Sequence, residues 1–460
     1  MHDATESRLN SVYLISLGCD KNRVDGEIMV GTLRGAGFRV VNNPEAAAAI
    51  IINTCGFISD AVAESLDTVF ALSEAHHERV LVVVGCMVER YKDEIKAQIP
   101  EVDAFVGVGE YEKIDEIVAG LLGVSIESGE SGESGESGFK TNSVNANDGS
   151  AVLTARLAGR ADSEIPHIAY VKIAEGCDNA CAYCTIPQIR GAYKSRPEAE
   201  ILQECRALVD AGAVELVIVA QDTASYGLDL YGAKKLPELL QKIAETSGAT
   251  WIRLMYAYPE HITPSLIDVI AKMPQICKYI DMPIQHSEDA ILTRMGRKGR
   301  KFELQRLIQV LRDRVPGISI RTTLMVGFPG ETDENFDAML DFVEETQFDR
   351  MGAFPYSREE GTPAAGFPDQ VPDGTKRDRH ARLMELQQRI HFARQEKYVG
   401  QTLPVIVDSQ DGEYIGRTQY DAYESDSTVR FSSPRKLKQG QIVNVKIAAT
   451  DGYDLQGILA

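Results

Sequence analysis

The chain lacks the features that mark a secreted or membrane protein. Its 460 residues contain no apolar run of about 18 residues, the length that a membrane-spanning helix needs. A secretion signal has an apolar core, which is missing from the N-terminal residues MHDATESRLN. We therefore expect a cytoplasmic protein that makes no membrane contact.

Basic side chains are also scarce. The chain has 48 Lys and Arg against 68 Asp and Glu, which is a formal net charge of −20. Such a surface repels the phosphates of nucleic acids and attracts basic partners, although many cytosolic proteins are acidic for solubility alone. The charge balance therefore favours a basic protein over a nucleic acid as the partner.

Residues 1–165 show two different patterns. A chain of this length is expected to form two or three domains. Apolar strand patterns alternate with helical ones over residues 1–122, which indicates an α/β domain with a doubly wound parallel sheet. Residues 123–165 include four Glu-Ser-Gly repeats and are too polar to bury a core, so we predict a flexible linker there.

Residues 166–460 predict two further domains. Residues 166–395 contain six strand candidates separated by helical segments, which fits a partial (βα)6 barrel with its chemistry at the C-terminal ends of the strands. The candidates cover residues 168–173, 215–220, 251–256, 279–283, 318–326 and 351–355. Residues 396–460 are rich in short strands and turns, and they predict a small antiparallel β-barrel that grips a macromolecule.

Three of the eight cysteines form a close motif. Cys177, Cys181 and Cys184 have the spacing C-x3-C-x2-C and follow the first predicted barrel strand. Three thiolates can hold three corners of a 4Fe–4S cluster and leave its fourth iron open to a ligand. The alternative is a zinc site, but cysteine-rich zinc sites usually have two C-x2-C pairs and this chain has no second pair.

Cys19, Cys55 and Cys86 are far apart in sequence but share a position relative to predicted strands. Each follows an apolar run that predicts a buried parallel strand. Because the C-terminal ends of such strands share one edge of the sheet, where ligands bind, the three thiols are expected to meet there and hold a second cluster. The alternative is three unrelated buried thiols. The last two cysteines, Cys205 and Cys277, are predicted to be core residues.

Sequence words along nearly the whole chain resemble those of the radical S-adenosylmethionine methylthiotransferases. SLGCDKNRVDGE, INTCGFISDA and VVGCM are similar to their N-terminal domain. Their radical domain is matched by EGCDNACAYCTIPQIRG, QDTASYG, YPEHIT, DMPIQH, RTTLMVGFPGET and YSREEGTPAA. GRTQYDAYESDSTV resembles the start of their C-terminal TRAM domain, although DAYESDS departs from the usual DAPEIDG.

The family has two branches with different substrates. One modifies an adenosine in tRNA, and the other, the RimO type, adds a methylthio group to the β-carbon of an aspartate in the twelfth protein of the small ribosomal subunit. The words GC-x-KN-x-VD, NTCGFI, IPQIRG, QDT and WIRLMYAYP are similar to the ribosomal-protein branch. The region from Glu396 has seven basic and nine acidic residues, whereas an RNA-binding barrel is more often basic. The resemblance therefore implies a ribosomal protein as the substrate, on or near the ribosome, with tRNA as the alternative.

The resemblance also implies the cofactors: two 4Fe–4S clusters and S-adenosylmethionine. In this family, the cluster on the C-x3-C-x2-C cysteines binds S-adenosylmethionine and cleaves it to a 5′-deoxyadenosyl radical, which takes a hydrogen from the substrate carbon. The second cluster presents the sulfur, and a second S-adenosylmethionine supplies the methyl group. An electron donor such as flavodoxin or ferredoxin is implied as well. A non-catalytic iron–sulfur electron carrier is the third hypothesis.

Six further residues are predicted to bind the cofactor. They are Tyr183, Gln221, Gln285, Arg321, Gly327 and Glu331. Tyr183 occupies the position where the family packs the adenine, unless it is only a core residue. The glutamines, together with Asp222 and His286, follow the second and fourth strands. Gly327 permits close approach of a ligand to the backbone, or only a tight turn. Arg321 could pair with a carboxylate, or be solvated.

Overall fold

The computed structural model describes residues 10–124, 149–160, 163 and 165–460. The chain divides into two compact units. The first runs up to Pro166 and also includes Thr185–Ala192, and the second contains His167–Cys184 and Tyr193–Ala460. The Glu-Ser-Gly repeats of the predicted linker lie outside the described residues. No helix in the described part of the chain is long and apolar enough to cross a membrane.

The first unit contains a five-stranded parallel sheet, which confirms the predicted α/β class. The strands are β1 (Ser11–Ser16), β2 (Arg39–Val40), β3 (Ala49–Thr54), β4 (Val80–Gly85) and β5 (Ala104–Val106). Their order in the sheet is β2-β1-β3-β4-β5. The chain therefore winds one way from β1 to β2 and the other way from β3 onward, and the reversal lies between β1 and β3. In doubly wound sheets, ligands bind at the C-terminal strand ends beside such a reversal.

Helices cover both faces of this sheet. They are α1 (Asp20–Gly35), α2 (Ser59–Ala75), α3 (Cys86–Gln98) and α4 (Ile114–Leu122). All six residues of β3 are buried. Ile51 packs in the core cluster that contains Met29 of α1, whereas Ile52 packs in the opposite cluster with Val69 of α2. A strand that is buried on both faces needs apolar residues at every position, which explains the run AIII in the sequence.

The last part of the predicted linker is a helix, so the prediction of a flexible linker is wrong there. Helix α5 (Gly149–Gly159) packs so closely on α1 that a Cβ at Gly31 would lie 1.5 Å from a backbone carbonyl oxygen of α5. Arg156 and Arg160 pair with Glu27 of α1 at 3.1 and 2.6 Å. These contacts tie residues 149–160 to the first unit. A short helix, α6 (Ile186–Arg190), belongs to the same unit.

The second unit begins with the predicted strand pattern. Its strands are β6 (Ile168–Lys172), β7 (Ala174–Glu175), β8 (Lys194–Ser195), β9 (Glu215–Val219), β10 (Trp251–Leu254), β11 (Tyr279–Asp281), β12 (Ser319–Val326) and β13 (Arg350–Pro355). β7 and β8 form a short antiparallel ribbon. The other six are parallel, in the sheets β6-β9-β10 and β11-β12-β13. Because the amide of Ala257 donates to Asp281 O at 2.9 Å, the two sheets are neighbours, and the predicted partial barrel is confirmed.

Eight helices alternate with these strands or follow them in the described residues of the second unit. They are α7 (Glu198–Asp210), α8 (Leu228–Tyr231), α9 (Leu236–Thr246), α10 (Pro264–Lys272), α11 (Asp289–Arg294), α12 (Lys301–Arg314), α13 (Asp333–Thr346) and α14 (Asp373–Gln395). Apolar positions three and four residues apart give each long helix one buried face, as Leu236, Leu239, Leu240 and Ile243 show for α9. This face is removed from water, so the polar groups of the site are left to the loops at the strand ends.

The C-terminal residues form the predicted small barrel. Its strands are β14 (Thr402–Asp411), β15 (Glu413–Thr418), β16 (Val429–Ser432), β17 (Ile442–Asp451) and β18 (Asp454–Leu459). They close in the order β14-β15-β16-β18-β17. In β16, Val429 and Phe431 are buried and alternate with exposed residues, as a strand with one wet face requires. The antiparallel prediction is right for four of the five strand pairs, but β16 and β18 run parallel.

A buried ionic network joins this barrel to the parallel strands of the same unit. Glu215, the first residue of β9, accepts hydrogen bonds from Arg253 at 2.6 Å and from Arg417 of β15 at 2.8 Å. Arg417 also donates to Asp408 at 2.7 Å. The side chains of the two arginines and of Glu215 are at most 1% exposed. Opposite charges therefore compensate one another where water is excluded.

Candidate iron–sulfur sites

The C-x3-C-x2-C motif lies in a loop at the C-terminal end of the first barrel strands. Cys177, Cys181 and Cys184 follow β7 in irregular backbone, and all three are partly exposed. The amide of Ala182 donates to the carbonyl oxygen of Met295 at 2.9 Å, which ties the loop to the segment after α11. The loop is therefore held in place while its thiols remain accessible.

Two polar side chains reach the sulfur atoms of this loop. Asn179 Nδ2 donates to Cys177 Sγ at 3.5 Å, and the hydroxyl of Tyr258 lies 3.4 Å from Cys181 Sγ. Asn179 also donates to Asp222 Oδ2 at 3.1 Å. Hydrogen bonds to ligand sulfurs orient the ligands and tune an iron–sulfur cluster, so this neighbourhood fits one.

Asp222 organises the residues around Asn179. Burial alone would raise the pKa of Asp222, but hydrogen bonds from His261, Ser225 and Asn179 lower it below its ordinary value. His261 Nδ1 lies 2.7 Å from Asp222 Oδ2, and the ring of His261 stacks on Tyr258 with 5.2 Å between centroids. The ionised carboxylate of Asp222 therefore helps to position both side chains that contact the cysteine sulfurs.

The predicted glutamines present free acceptors at the ends of two strands. Gln221 follows β9 closely and donates to Glu175 Oε1 at 3.0 Å. Gln285 follows β11 with a positive φ of 70°. The carbonyl oxygens of both amides are buried and have no hydrogen-bond partner within the described part of the chain. Tyr183 packs edge-on against Phe328, with 6.4 Å between ring centroids. Unpaired buried acceptors are costly, so a bound ligand with N–H or O–H donors would fit here.

Gly327 and Glu331 lie beside each other after β12 and hold their loop. The amide of Gly327 donates to Glu331 Oε2 at 2.9 Å, and Arg379 pairs with Oε1 at 2.7 Å. His286 Nε2 lies 3.3 Å from the same carboxylate. Gly327 has a φ of +71°, and a Cβ there would lie 2.4 Å from Lys376 Cγ. The turn needs a glycine, and the Glu331 carboxylate is occupied by the chain itself.

Arg321 is not brought together with the other predicted cofactor residues. It is the third residue of β12, six residues before Gly327, so at about 3.3 Å per residue the two lie about 20 Å apart along the strand. Its guanidinium pairs with Asp281 at 3.1 Å and with Asp426 of the C-terminal barrel at 3.3 Å. The structure therefore gives Arg321 a role in joining the two barrels of the second unit, away from the strand ends.

In the first unit, Cys19, Cys55 and Cys86 lie at the C-terminal edge of the sheet. Cys19 precedes α1, Cys55 follows β3 directly, and Cys86 follows β4 directly. β3 lies between β1 and β4, so the three positions are adjacent along the edge. A Cβ added at Gly18, whose φ is +89°, would lie 3.1 Å from Cys55 Sγ. The chain after β1 therefore passes directly over Cys55.

Burial makes two of these thiols, those of Cys55 and Cys86, hard to ionise without a cation. It raises the pKa of Cys55, and it raises the pKa of Cys86 to about 11. Cys19 raises the pKa of both thiols further and Cys55 raises that of Cys86, whereas Arg190 lowers the pKa of both. The three thiols are thus within electrostatic range of one another. Binding of iron would supply the positive charge that three thiolates need, which fits a cluster at this edge.

Three residues of this site, Asn22, Asp25 and Arg190, were not predicted from the sequence. Asn22 donates to the carbonyl oxygens of Leu17 and Thr54, both at 3.0 Å, and so ties the ends of β1 and β3 together. Arg190 contacts Asn22, Asp25 and Cys86. Asn22 and Arg190 lie in the words GC-x-KN-x-VD and IPQIRG, so those words contained the signal.

Thiols that share a four-iron cluster are spaced differently from the ligands of one ion. Each cysteine of such a cluster binds its own iron. In the described ranges of the chain, no three His, Cys, Asp or Glu side chains are grouped to hold a single metal ion. The support for a cluster at each site therefore comes from the contacts around the cysteines and not from ligands grouped around one ion.

Three family models match the chain. Residues 11–107 match the uncharacterized protein family UPF0004, residues 171–343 match the radical SAM superfamily, and residues 399–459 match the TRAM domain. Proteins named ribosomal protein uS12 methylthiotransferase RimO are similar over nearly the whole length. The one from Heliobacterium modesticaldum is 44% identical over 97% of this chain and 94% of its own, and the one from Desulforamulus reducens is 44% identical over 98% and 99%. The chain belongs to the RimO family of methylthiotransferases.

Solved structures show the fold at a greater distance. The radical S-adenosylmethionine methyltransferase TsrM from Kitasatospora setae has a TM-score of 0.54 and 14% identity, over 77% of each chain. This likeness concerns the fold alone. Members of the RimO family use 4Fe–4S clusters and S-adenosylmethionine. The two sets of three cysteines are the residues that the sequence predicts to supply the thiolates that such clusters require.

Proposed function

We propose that this chain methylthiolates the β-carbon of an aspartate in the ribosomal protein uS12, in the cytoplasm, on or near the ribosome. The observation that carries the proposal is the pair of three-cysteine sets, each at the C-terminal strand ends of its own α/β unit. Relatives that are named as uS12 methylthiotransferases are 44% identical over nearly the full length of the chain, which supports uS12 as the substrate.

The two sets have different tasks in this proposal. Cys177, Cys181 and Cys184 would hold the cluster that binds S-adenosylmethionine, and the set in the first unit would hold the second cluster. These groups, when bound, supply radical removal of a hydrogen from carbon and a sulfur donor, which protein side chains cannot supply. The reaction would also require an electron donor such as flavodoxin or ferredoxin.

Other residues of the chain position the cluster cysteines and bind S-adenosylmethionine in this proposal. Asn179 and Tyr258 contact the sulfur atoms of Cys177 and Cys181 and so restrict the loop that carries them. The side-chain oxygens of Gln221 and Gln285 have no hydrogen-bond partner among the described residues, and they would accept hydrogen bonds from S-adenosylmethionine, which has amino and hydroxyl donors. For Glu331 and Gly327 we propose a supporting role, since their polar groups bond to each other.

The charge of the chain separates the two candidate substrates. A net charge of −20 favours a basic ribosomal protein and opposes tRNA, whose phosphates would be repelled. The C-terminal barrel does not reverse this balance, because its acidic residues outnumber its basic ones. A methylthiolated adenosine in tRNA is therefore the second candidate.

The test uses the full chain, reconstituted without oxygen, with a peptide of the uS12 loop that contains the target aspartate and, in parallel, a tRNA anticodon stem-loop. The parent should hold about eight irons and modify only the peptide. Cys55→Ala should still form 5′-deoxyadenosine but no methylthio product, and Cys181→Ala should form neither. Cys205→Ala, which changes a buried cysteine outside both sets, is the matched control and should hold as much iron and form the same products as the parent.

The outcomes separate the parts of the proposal. Peptide modification by Cys55→Ala at the parent rate would show that the first unit does not deliver the sulfur. Modification of the stem-loop alone would replace uS12 by tRNA and leave the assignment of the cysteines intact.

A further inference from the structure

Arg190 is buried against one cysteine of the first unit. Its Nε and Nη2 atoms lie 3.3 and 3.2 Å from Cys86 Sγ. Nη2 also donates to Asn22 Oδ1 at 2.6 Å, and Nη1 pairs with Asp25 Oδ2 at 2.9 Å. The residue is 7% exposed. One edge of the guanidinium therefore faces the sulfur, while the other side is held by a carboxylate.

The surroundings of Arg190 fix its orientation. Asp25 is 2% exposed and Asn22 is fully buried, so neither partner is free to move with solvent. Asn22 is itself bonded to the carbonyl oxygens of Leu17 and Thr54 at the ends of β1 and β3. Because the guanidinium is planar with a rigid fork of donors, fixing one side of it aims the other. Arg190 is thus positioned relative to the whole sheet edge.

The charges also point to an anion at this sulfur. A buried arginine is costly unless opposite charges and hydrogen bonds compensate it. Arg190 has Asp25 as its carboxylate partner, and its remaining edge faces a thiol that becomes negative when it binds a metal. A sulfur that carries negative charge would accept both N–H donors more strongly than a neutral thiol does.

We propose that Arg190 is a positioning residue of the iron–sulfur site in the first unit, which holds Cys86 in place and tunes the reduction potential of the cluster there. The proposal rests on the proposed function, because it requires a cluster on Cys19, Cys55 and Cys86. Hydrogen bonds and positive charge near cluster sulfurs stabilise the reduced form, so they raise the potential. The charge of Arg190 and the geometry of its fork make separable contributions.

Two substitutions separate charge from geometry. Arg190→Gln keeps polar atoms but removes the positive charge, and Arg190→Lys keeps the charge but removes the fork. Arg156→Gln is the matched control, since Arg156 is 1% exposed and its Nε atom pairs with Glu27 at 3.1 Å in the same unit. A general loss of buried ion pairing would appear in the control as well.

The measurements are made on the full chain in which Cys177, Cys181 and Cys184 are replaced by Ala, so that only the cluster of the first unit contributes. Potentiometric titration followed by electron paramagnetic resonance gives the potential, and iron release to a chelator gives retention. Arg190→Gln should have a more negative potential and hold iron about 10- to 100-fold less tightly. Arg190→Lys should recover the potential but not the retention, and Arg156→Gln should change neither.

Three results would overturn the inference. An unchanged potential and chelation rate in Arg190→Gln would remove any role for the residue. Equal changes in Arg156→Gln would show a merely structural effect. If the background variant holds no iron, both this inference and the assignment of the second cluster fail, whereas bound iron with an unchanged potential and chelation rate in Arg190→Gln contradicts this inference alone.

Discussion

Replacing Glu215 by glutamine is expected to destabilise the second unit strongly. The Glu215 carboxylate accepts hydrogen bonds from Arg253 and Arg417, and all three side chains are almost fully buried. Glutamine has nearly the same shape but no charge, so it leaves one positive charge without compensation inside the protein. Removing one partner of a buried ion pair costs about 3–5 kcal/mol.

The lowered pKa of Glu215 has the direction that these two ion pairs require. Burial alone would raise this pKa, but the charges of Arg417 and Arg253 outweigh burial and lower it from 4.5 to about 2. Since one pKa unit corresponds to about 1.4 kcal/mol, the ionised carboxylate contributes about 3 kcal/mol to the free energy of unfolding at neutral pH.

The single tryptophan of the chain provides the assay. Trp251 is the residue of β10 that pairs in register with Glu215, and it is 7% exposed. Its fluorescence during urea titration therefore reports unfolding next to the network. With a urea dependence of about 1–3 kcal/mol per molar, the midpoint of Glu215→Gln should fall by at least about 1 M. Glu344→Gln, which breaks an exposed pair with Arg389 in the same unit, should change the free energy by about 0.5 kcal/mol or less.

The pH dependence adds a second check. A lowered pKa contributes stability that is present above about pH 4.5 and is lost as the pH falls toward 2. The difference between the parent and Glu215→Gln should thus be full at pH 7 and shrink over that acidic range. The reasoning is refuted if Glu215→Gln and Glu344→Gln unfold at the same urea concentration at pH 7. It is also refuted if the stability difference between the parent and Glu215→Gln stays the same as the pH falls.

Three further outcomes are expected from the packing of single residues. Cys205→Ala and Cys277→Ala, both in the core, should lower the free energy of unfolding by about 1–2 kcal/mol and leave the iron content unchanged, as iron analysis will show. Gly18→Ala places a Cβ 2.8 Å from that of Cys55 at a φ of +89°, so it should weaken iron binding by the first unit. The iron content of the chain should fall by up to about half, while 5′-deoxyadenosine formation continues. Gly31→Ala collides with the backbone of α5, so limited proteolysis should cut residues 149–160 faster than in the parent; equal cutting would mean that the helix does not need this close contact.

Local sequence patterns determined the elements and the position of the cysteines along them. The run AIIINT predicts a strand that is buried on both faces, and β3 is such a strand. Each cysteine of the first unit was placed after a strand from the chain alone, because a strand and the residue that follows it are neighbours in sequence. The C-x3-C-x2-C motif is local in the same sense. The pattern of buried residues and the order of residues along the chain were therefore sufficient to predict these strands and the positions of the cysteines.

Only the tertiary structure decided which side chains meet. Arg190 reaches Cys86 across 104 positions of the chain, and Arg321 pairs with Asp426 of the C-terminal barrel instead of a ligand at the strand ends. Helix α5 lies in a stretch whose sequence predicted a linker, since contact with Gly31 and Glu27 is what holds it. The partner of a charged side chain depends on how distant elements pack and on which opposite charge is then closest in a water-free environment, and no local pattern contains that information.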